Sequence, residues 1–300
     1  VDMSTTKLEI DRNISTLRTN SKEFYNLSNI QLTSMLEELI SNINEVAYYW
    51  ATICSDNKGT TKTPAEGEEW MAGPFASVLA TQYYIDTLLN NDDLLFKNYN
   101  EKENSYKVFP NNLIERFIFP FVDAKVYFNK SMNFNDINEY RGFSSRYGGK
   151  PSITLVLGAG NYSSIPFLDT IYQLITKRSV VLLKLNPVNE YLKPVFDKVF
   201  QNFISRGFLI ITTGNTDESK YMVNHPGVGH IHLTGSDETY EDIVYGRKLS
   251  DSEKKLKSLP KVNNKPITSE LGNVTPFIIH PGNWSTSDIK YQARKIVTAK

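Results

Sequence analysis

Ile153-Thr-Leu-Val-Leu-Gly-Ala-Gly-Asn-Tyr-Ser-Ser164 is the stretch whose reading decides the fold. Ile153 to Leu157 is an apolar run without charge, and it enters a glycine-rich turn. Beyond the turn, Leu168, Ile171, Tyr172 and Ile175 recur at helical spacing, so Ile165 to Ile175 reads as a helix. Strand, tight turn and helix together open a βαβ unit. Ligands in open α/β sheets bind at the carboxyl ends of such strands, which is where Asn161 stands. The turn has three readings. Gly158-Ala-Gly-Asn-Tyr-Ser163 nearly fits the G-x-G-x-x-G/A dinucleotide fingerprint. Asn161 could instead offer its amide NH₂ to a developing oxyanion. The glycines could also serve the backbone alone.

The same alternation continues downstream. Strands are expected at Ile153–Leu157, Val180–Leu185, Leu209–Thr212, His230–Thr234 and Ile267–Leu271, with helices at Ile165–Thr176, Tyr191–Ser205 and Ser219–Asn224. Alternation of this kind predicts an α/β fold: a Rossmann-like parallel sheet with right-handed crossovers and helices on both faces. Phe277-Ile-Ile-His-Pro281 reads as a further strand, followed by a helix opened by Ser285 or Ser287 and still running at Lys300.

Upstream, residues 1–60 read as helical, with Leu32, Met35, Leu36, Leu39, Ile40 and Ile43 on one stripe and Ser28 or Thr33 as the cap. Ser55 to Glu69 reads as a polar loop, and Glu66, Glu68 and Glu69 as a solvated helix entry. Trp70 to Leu89 is apolar again and helical from Phe75. Residues 113–130 are rich in aromatic and β-branched side chains and predict strands, with Pro120 at an edge or bend. Ser144 to Lys150, with Gly148-Gly149, reads as a linker. The expected organisation is a cofactor-type domain over 1–266, including the helical N-terminal region and a projecting β-hairpin near 113–146, followed by the start of a second domain at 267–300.

Composition excludes several classes of function. Lys+Arg and Asp+Glu both number 33, so nothing global points to nucleic acid or an anionic membrane. A hydrophobic fraction of 40% supports a real core, and no apolar run is long enough to span a bilayer. The first residues carry no secretory signal pattern. The one cysteine, Cys54, fits a cytoplasmic setting and reads as a small buried hydrophobe. His230 and His232 alternate onto one strand face, but two histidines without a third ligand make no metal site.

Four motifs follow one another over about 110 residues: Asn161 after the first strand, Val180-Val-Leu-Leu-Lys184, Thr234-Gly-Ser236 and Glu270-Leu-Gly272. In that order they resemble the aldehyde dehydrogenase superfamily, with its W-N-F/Y-P strand end, V-V-x-K strand, F-T-G-S turn and E-L-G-G motif. The resemblance implies an NAD or NADP cofactor across the carboxyl ends of the strands. It implies that Lys184 bonds the adenosine ribose or a 2′-phosphate, and that Gly235 and Ser236 meet the pyrophosphate at a helix N-terminus. It also implies that Leu271 and Gly272 touch the cofactor, that Asn161 is the oxyanion donor, and that Glu270 is the general base for hydrolysis of a cysteine thioester. The implied substrate is a small-molecule aldehyde, and the hairpin would join subunits of a homo-oligomer.

Departures mark a divergent member. Pro187 stands where the family often has a glutamate for the ribose, leaving NAD against NADP open. The strand end reads Gly160-Asn-Tyr-Ser163 in place of Trp-Asn-Phe-Pro, and the glycine pair of E-L-G-G is Gly272-Asn273. The family's nucleophilic cysteine falls beyond Lys300, and Cys54 lies in the wrong region to replace it, so the chain is expected to be an inactive N-terminal part. The rivals are a non-catalytic nucleotide-binding relative and an ordinary Rossmann reductase. The second needs an acidic residue ending the second strand, where Lys184 stands.

Overall fold

The computed structural model describes residues 6–89, 98–110, 112–133, 135–136, 150–256 and 258–299. Eight strands occur among them: β1 Tyr99–Asn100, β2 Ser105–Phe109, β3 Ala124–Tyr127, β4 Ile153–Leu157, β5 Val180–Lys184, β6 Leu209–Thr212, β7 His230–Gly235 and β8 Ile267–Leu271. The chain divides into two units, Val1–Leu89 with Gly142–Gly272, and Asn90–Arg141 with Asn273–Lys300.

The first unit holds a five-stranded parallel sheet in the order β6-β5-β4-β7-β8. From central β4 the chain steps outward to β5 and β6, then returns to β7 on the other side. Right-handed crossovers running in opposite directions carry their helices to opposite faces of the sheet. This agrees with the α/β expectation, and all five strands lie where the sequence pattern put them. β4 and β5 are buried at every residue, which their unbroken apolar sequences require. β8, at the edge, is largely exposed.

The N-terminal region is helical as expected. Helix Lys7–Tyr25 packs against the sheet through β5 and β4, burying Ile10, Ile14, Leu17 and Phe24. Helix Asn29–Lys58 starts at Ser28, not Thr33: Gln31 N–H donates to Ser28 Oγ at 3.2 Å, and Ser28 N–H donates to Gln31 Oε1 at 2.9 Å. It ends at Gly59, whose φ of +68° suits a residue without Cβ. Arg178 fastens this region to the sheet. Just before β5, its guanidinium donates to Leu27 O at 2.9 Å and Asn29 Oδ1 at 2.6 Å, and it is buried. The core is aromatic where the helices meet: Trp50, Phe167, Phe196 and Phe200 stack at 5.1–6.2 Å, all fully buried. Burial of each such ring contributes about 1.5–3 kcal/mol.

Four expectations are corrected. The polar loop is shorter than read, because helix Asn29–Lys58 reaches into it and a new helix begins at Glu66. Glu69 is not solvated: it is 2% exposed and its carboxylate meets Lys58 Nζ at 2.7 Å. A buried carboxylate needs such a partner. Residues 113–130 are not a strand pair. Leu113–Ile118 is a helix, since Asn112 Oδ1 accepts from Glu115 N–H at 2.8 Å and Asn112 Nδ2 donates to Glu115 Oε1 at 2.7 Å. This cap overrides the β-like composition, and the helix stops ahead of Pro120. The hairpin is instead built from β2 and β3, antiparallel, with β1 beside β2 in a three-stranded sheet of the second unit. Phe277–Pro281 finds no ladder partner among the described residues and is not a strand.

β8, expected to begin a second domain, pairs with β7 inside the main sheet. Helix Thr286–Ala299 follows Ser285, whose Oγ accepts from Asp288 N–H at 3.2 Å. The expected hairpin residues 137–146, and the linker apart from Lys150, lie outside the described residues.

Candidate functional site

The sheet register brings the predicted strand-end residues to one edge. Leu157 of β4 lies abreast of Lys184 on one side and Leu233 on the other. One step further, Thr234 pairs with Glu270 and Gly235 with Leu271. A cleft of about 800 Å³ opens here, between helix Thr216–Asn224 and helix Asp237–Tyr245. Lys184, Gly235 and Ser236 line it, together with Pro187 and Gly158. Its size falls within the ~300–1,000 Å³ typical of small-molecule sites.

Both glycines of the β4 turn have packing reasons. A Cβ on Gly158 would sit 3.2 Å from Pro166 Cβ and 3.4 Å from the Lys184 carbonyl. A Cβ on Gly160 would sit 3.0 Å from the Asn186 amide carbon. The turn is glycine-rich because it passes close to the exit of β5.

Lys184 is 5% exposed, and its ammonium has no hydrogen-bond or ion-pair partner among the described residues. Burial pushes its pKa below the ordinary lysine value, against the opposing pull of Glu190 and Glu218. Those two carboxylates are committed to backbone amides: Gly214 N–H donates to Glu190 Oε1 at 3.1 Å, and Asn215 N–H to Glu218 Oε2 at 2.9 Å.

Ser236 caps helix Asp237–Tyr245, accepting from Thr239 N–H at 3.1 Å. The first-turn amides and the positive end of the helix dipole therefore face the cleft. The acids of that turn are engaged elsewhere. Asp237 meets Lys254 at 3.0 Å, and Glu238 pairs with Lys248.

Other predicted residues lie apart from this cleft. Asn161 is exposed and does not line it. Glu270 is exposed on β8, Leu271 is half-buried, and Gly272 is open, with nothing within 4 Å of a built Cβ. Cys54 is fully buried, and burial raises its thiol pKa against the lowering hydrogen bonds of Ser163 and Tyr191. His230 and His232 do share a face, but His230 Nε2 and His232 Nδ1 both meet Thr268 Oγ1, at 3.0 and 2.8 Å. No group of three His, Cys, Asp or Glu able to hold a metal occurs among the described residues.

Sequence reading missed the far wall, including Asn215, Ser219 and Lys220, and the carboxylates Glu190 and Glu218 behind Lys184. The pattern Asn215-Thr-Asp-Glu218 carried a signal, since Asn followed three residues later by Glu marks a helix start.

No family model matches the chain, and no curated protein matches it. Solved structures do. A glyceraldehyde-3-phosphate dehydrogenase from Methanocaldococcus jannaschii, complexed with NADP, superposes with a TM-score of 0.57 at 14% identity, over 91% of this chain and 48% of that one. A betaine aldehyde dehydrogenase from Staphylococcus aureus, in complex with NAD+, gives 0.55 at 13% identity, over 90% and 43%. An NAD-dependent benzaldehyde dehydrogenase from Corynebacterium glutamicum gives 0.55 at 11%, over 91% and 47%. The chain spans about half the length of the structures it matches. No helix among the described residues is long and apolar enough to cross a membrane. Sheet order, helical N-terminal region and these superpositions agree: over nine-tenths of its length this chain has the fold of the aldehyde dehydrogenases.

Proposed function

We propose that this chain is the cofactor-binding part of an NAD(P)-dependent aldehyde dehydrogenase, a cytoplasmic enzyme that oxidises a small aldehyde to a carboxylic acid. One observation carries the reading. Lys184 is 5% exposed, its ammonium has no partner among the described residues, and it stands in a cleft that also presents a capped helix N-terminus. An unpaired buried charge is costly, and an anionic or polyhydroxylated ligand would satisfy it. In this reading Lys184 would meet the adenosine ribose and Gly235 and Ser236 the pyrophosphate, while Leu271 and Gly272, outside the cleft lining, would be reached only at the β8 end. Bound there, the cofactor would supply a hydride acceptor.

Asn161 would steady the aldehyde oxygen as it gains charge, and exposed Glu270 would take the proton of the hydrolytic water. Cys54, a fully buried thiol whose pKa burial raises, is not suited to be the nucleophile of this chemistry. The second unit supports assembly into a homo-oligomer: its helix Leu113–Ile118 leaves Leu113, Ile114 and Phe117 more than two-thirds exposed.

Titration calorimetry with NAD and NADP tests the reading. At least one should bind, and Lys184→Ala should weaken it about tenfold or more, the worth of a hydrogen bond to a charged group. Absence of binding by both nucleotides would end it. A second reading, a nucleotide-binding relative without oxidation chemistry, is favoured by the position of Asn161 and Glu270 outside the cleft lining. Aldehyde-dependent reduction of NAD(P) by a longer form of the protein would exclude it.

A further inference from the structure

We propose that Thr268, His232, Asp169 and His230 form a second site, at which the Thr268 hydroxyl accepts an acyl group from a small activated ester or thioester. None of the four lines the strand-end cleft, and the site works without a nucleotide.

β7 and β8 run side by side, and His232 pairs with Thr268 in their register. Side chains two apart on a strand share a face, so His230, His232 and Thr234 stand on the face that carries Thr268. Thr268 Oγ1 is 2.8 Å from His232 Nδ1 and 3.0 Å from His230 Nε2. On the far side of the ring, His232 Nε2 lies 3.3 Å from Asp169 Oδ1, a charge contact short of an aligned hydrogen bond. The other oxygen of Asp169 accepts from Thr234 Oγ1 at 2.8 Å, which holds the carboxylate in place. Asp169 sits in helix Ile165–Ile171 and is 9% exposed, whereas Thr268 is exposed on edge strand β8.

The proton positions follow from the partners. A carboxylate only accepts, so His232 carries its proton on Nε2, facing Asp169, and Nδ1 is left to accept from the Thr268 hydroxyl. His230 then donates from Nε2 to Thr268 Oγ1. Burial, with His232 and Lys177 acting on it electrostatically, lowers the His230 pKa below that of an ordinary histidine, so this ring is neutral at pH 7. Nucleophile, base and the group that orients the base are thus in contact. As Oγ1 bonds to the acyl carbon, its proton passes to His232 Nδ1, and Asp169 balances the imidazolium. The carbonyl oxygen becomes an oxyanion on the same carbon as Oγ1. His230 N–H, already beside Oγ1, can turn to that oxygen, and the Lys177 charge favours it. The bond from carbon to the leaving group then breaks, and His232 returns the proton to the departing oxygen or sulfur. The products are an acyl ester of Thr268 and a free alcohol or thiol, and nothing is oxidised or reduced.

The test uses p-nitrophenyl acetate and the purified chain. An early burst of nitrophenolate should accompany an acetyl adduct, and peptide mass mapping should place it on Thr268. Thr268→Val keeps the shape of the side chain and should abolish that adduct, while Thr268→Ser should retain one at the same position. His232→Gln should slow acylation about 10²-fold or more, the usual worth of a general base. His230→Ala should slow it about 10²-fold, as loss of an oxyanion donor does. Asp169→Asn should slow it too, since an amide cannot balance the imidazolium. Residues that merely tied β8 to β7 would lower Tm when replaced and would leave the wild type without a Thr268 adduct. Should Asp169→Asn fail to fold, the exposed Thr268 variants and His232→Gln carry the comparison. Cys54→Ser should leave the rate unchanged, because that thiol is fully buried. Absence of a Thr268 adduct, acetyl on lysines or Cys54 alone included, would overturn the proposal. So would a Thr268 adduct formed as fast in His232→Gln as in wild type. The cofactor reading is untouched by either result, since no nucleotide enters the assay.

Discussion

The carboxyl ends of β5 and β8 were matched by the same kind of motif, yet they differ in every physical respect. Lys184 closes a strand flanked on both sides, by β4 and β6, and is 5% exposed. Glu270 closes a strand held on one side only, by β7, and stands in solvent. A charge at the first end is desolvated. A charge at the second end keeps its water. Burial of the strand beneath it, and not the motif alone, is what leaves a charged strand-end residue desolvated.

Mutations along the two strands should expose this difference. The largest effect is expected from the strands themselves. Leu183→Ala in β5, a fully buried side chain, should cost about 2–5 kcal/mol in urea unfolding, through lost transfer energy and a residual cavity. Ser269→Ala in exposed β8 should stay within about ±0.5 kcal/mol. Equal losses would mean that β8 is buried in solution.

Next comes nucleotide affinity. Lys184→Met keeps the aliphatic stem and removes the charge, and should lower affinity by about 1.5–3 kcal/mol. Glu270→Gln should leave binding within about twofold, since a charge in water contributes little to a ligand it does not touch. A large binding loss for Glu270→Gln would place that carboxylate in the cofactor site.

A smaller effect is expected at Ser236. Replacing this cap by alanine should cost about 1 kcal/mol of stability, because Thr239 N–H loses its acceptor. Tm and calorimetry on the same sample separate this loss from any change in nucleotide binding.

The smallest is a pH slope. Burial holds the Lys184 pKa below the 10.5 of an unfolded lysine, so above the folded pKa the unfolded chain binds more protons at this group. Its contribution to stability should rise as pH climbs from the depressed folded pKa toward 10.5. Subtracting the Lys184→Met profile from wild type isolates it. A difference profile falling over that range would show that Lys184 is stabilised in its charged form.

Much of the fold was legible in the chain, for a physical reason. β4, β5, β6, β7 and β8 are short apolar or alternating runs separated by helical periodicities, and local pattern alone places them. Helix Leu113–Ile118 defeated that approach. Its aromatic and β-branched residues suggested strand, but a single capping residue, Asn112, decided for helix. Phe277–Pro281 failed in the opposite way: a strand needs a partner, and composition cannot supply one.

The candidate site divides along the same line. Lys184, Gly235 and Ser236 were singled out by the family resemblance of their motifs, and the structure places those motifs at strand ends and a helix cap beside the cleft. Glu190 and Glu218 were not, because what matters is where two separate loops carry their carboxylates relative to Lys184. By itself the sequence determined the strands, most of the helices and one edge of the sheet at which chemistry could gather. Only the tertiary structure decided which of those strand ends is buried, which amides are already occupied and which charge is left without a partner. Desolvation and pairing depend on neighbours distant in the chain, and periodicity along the chain does not record them.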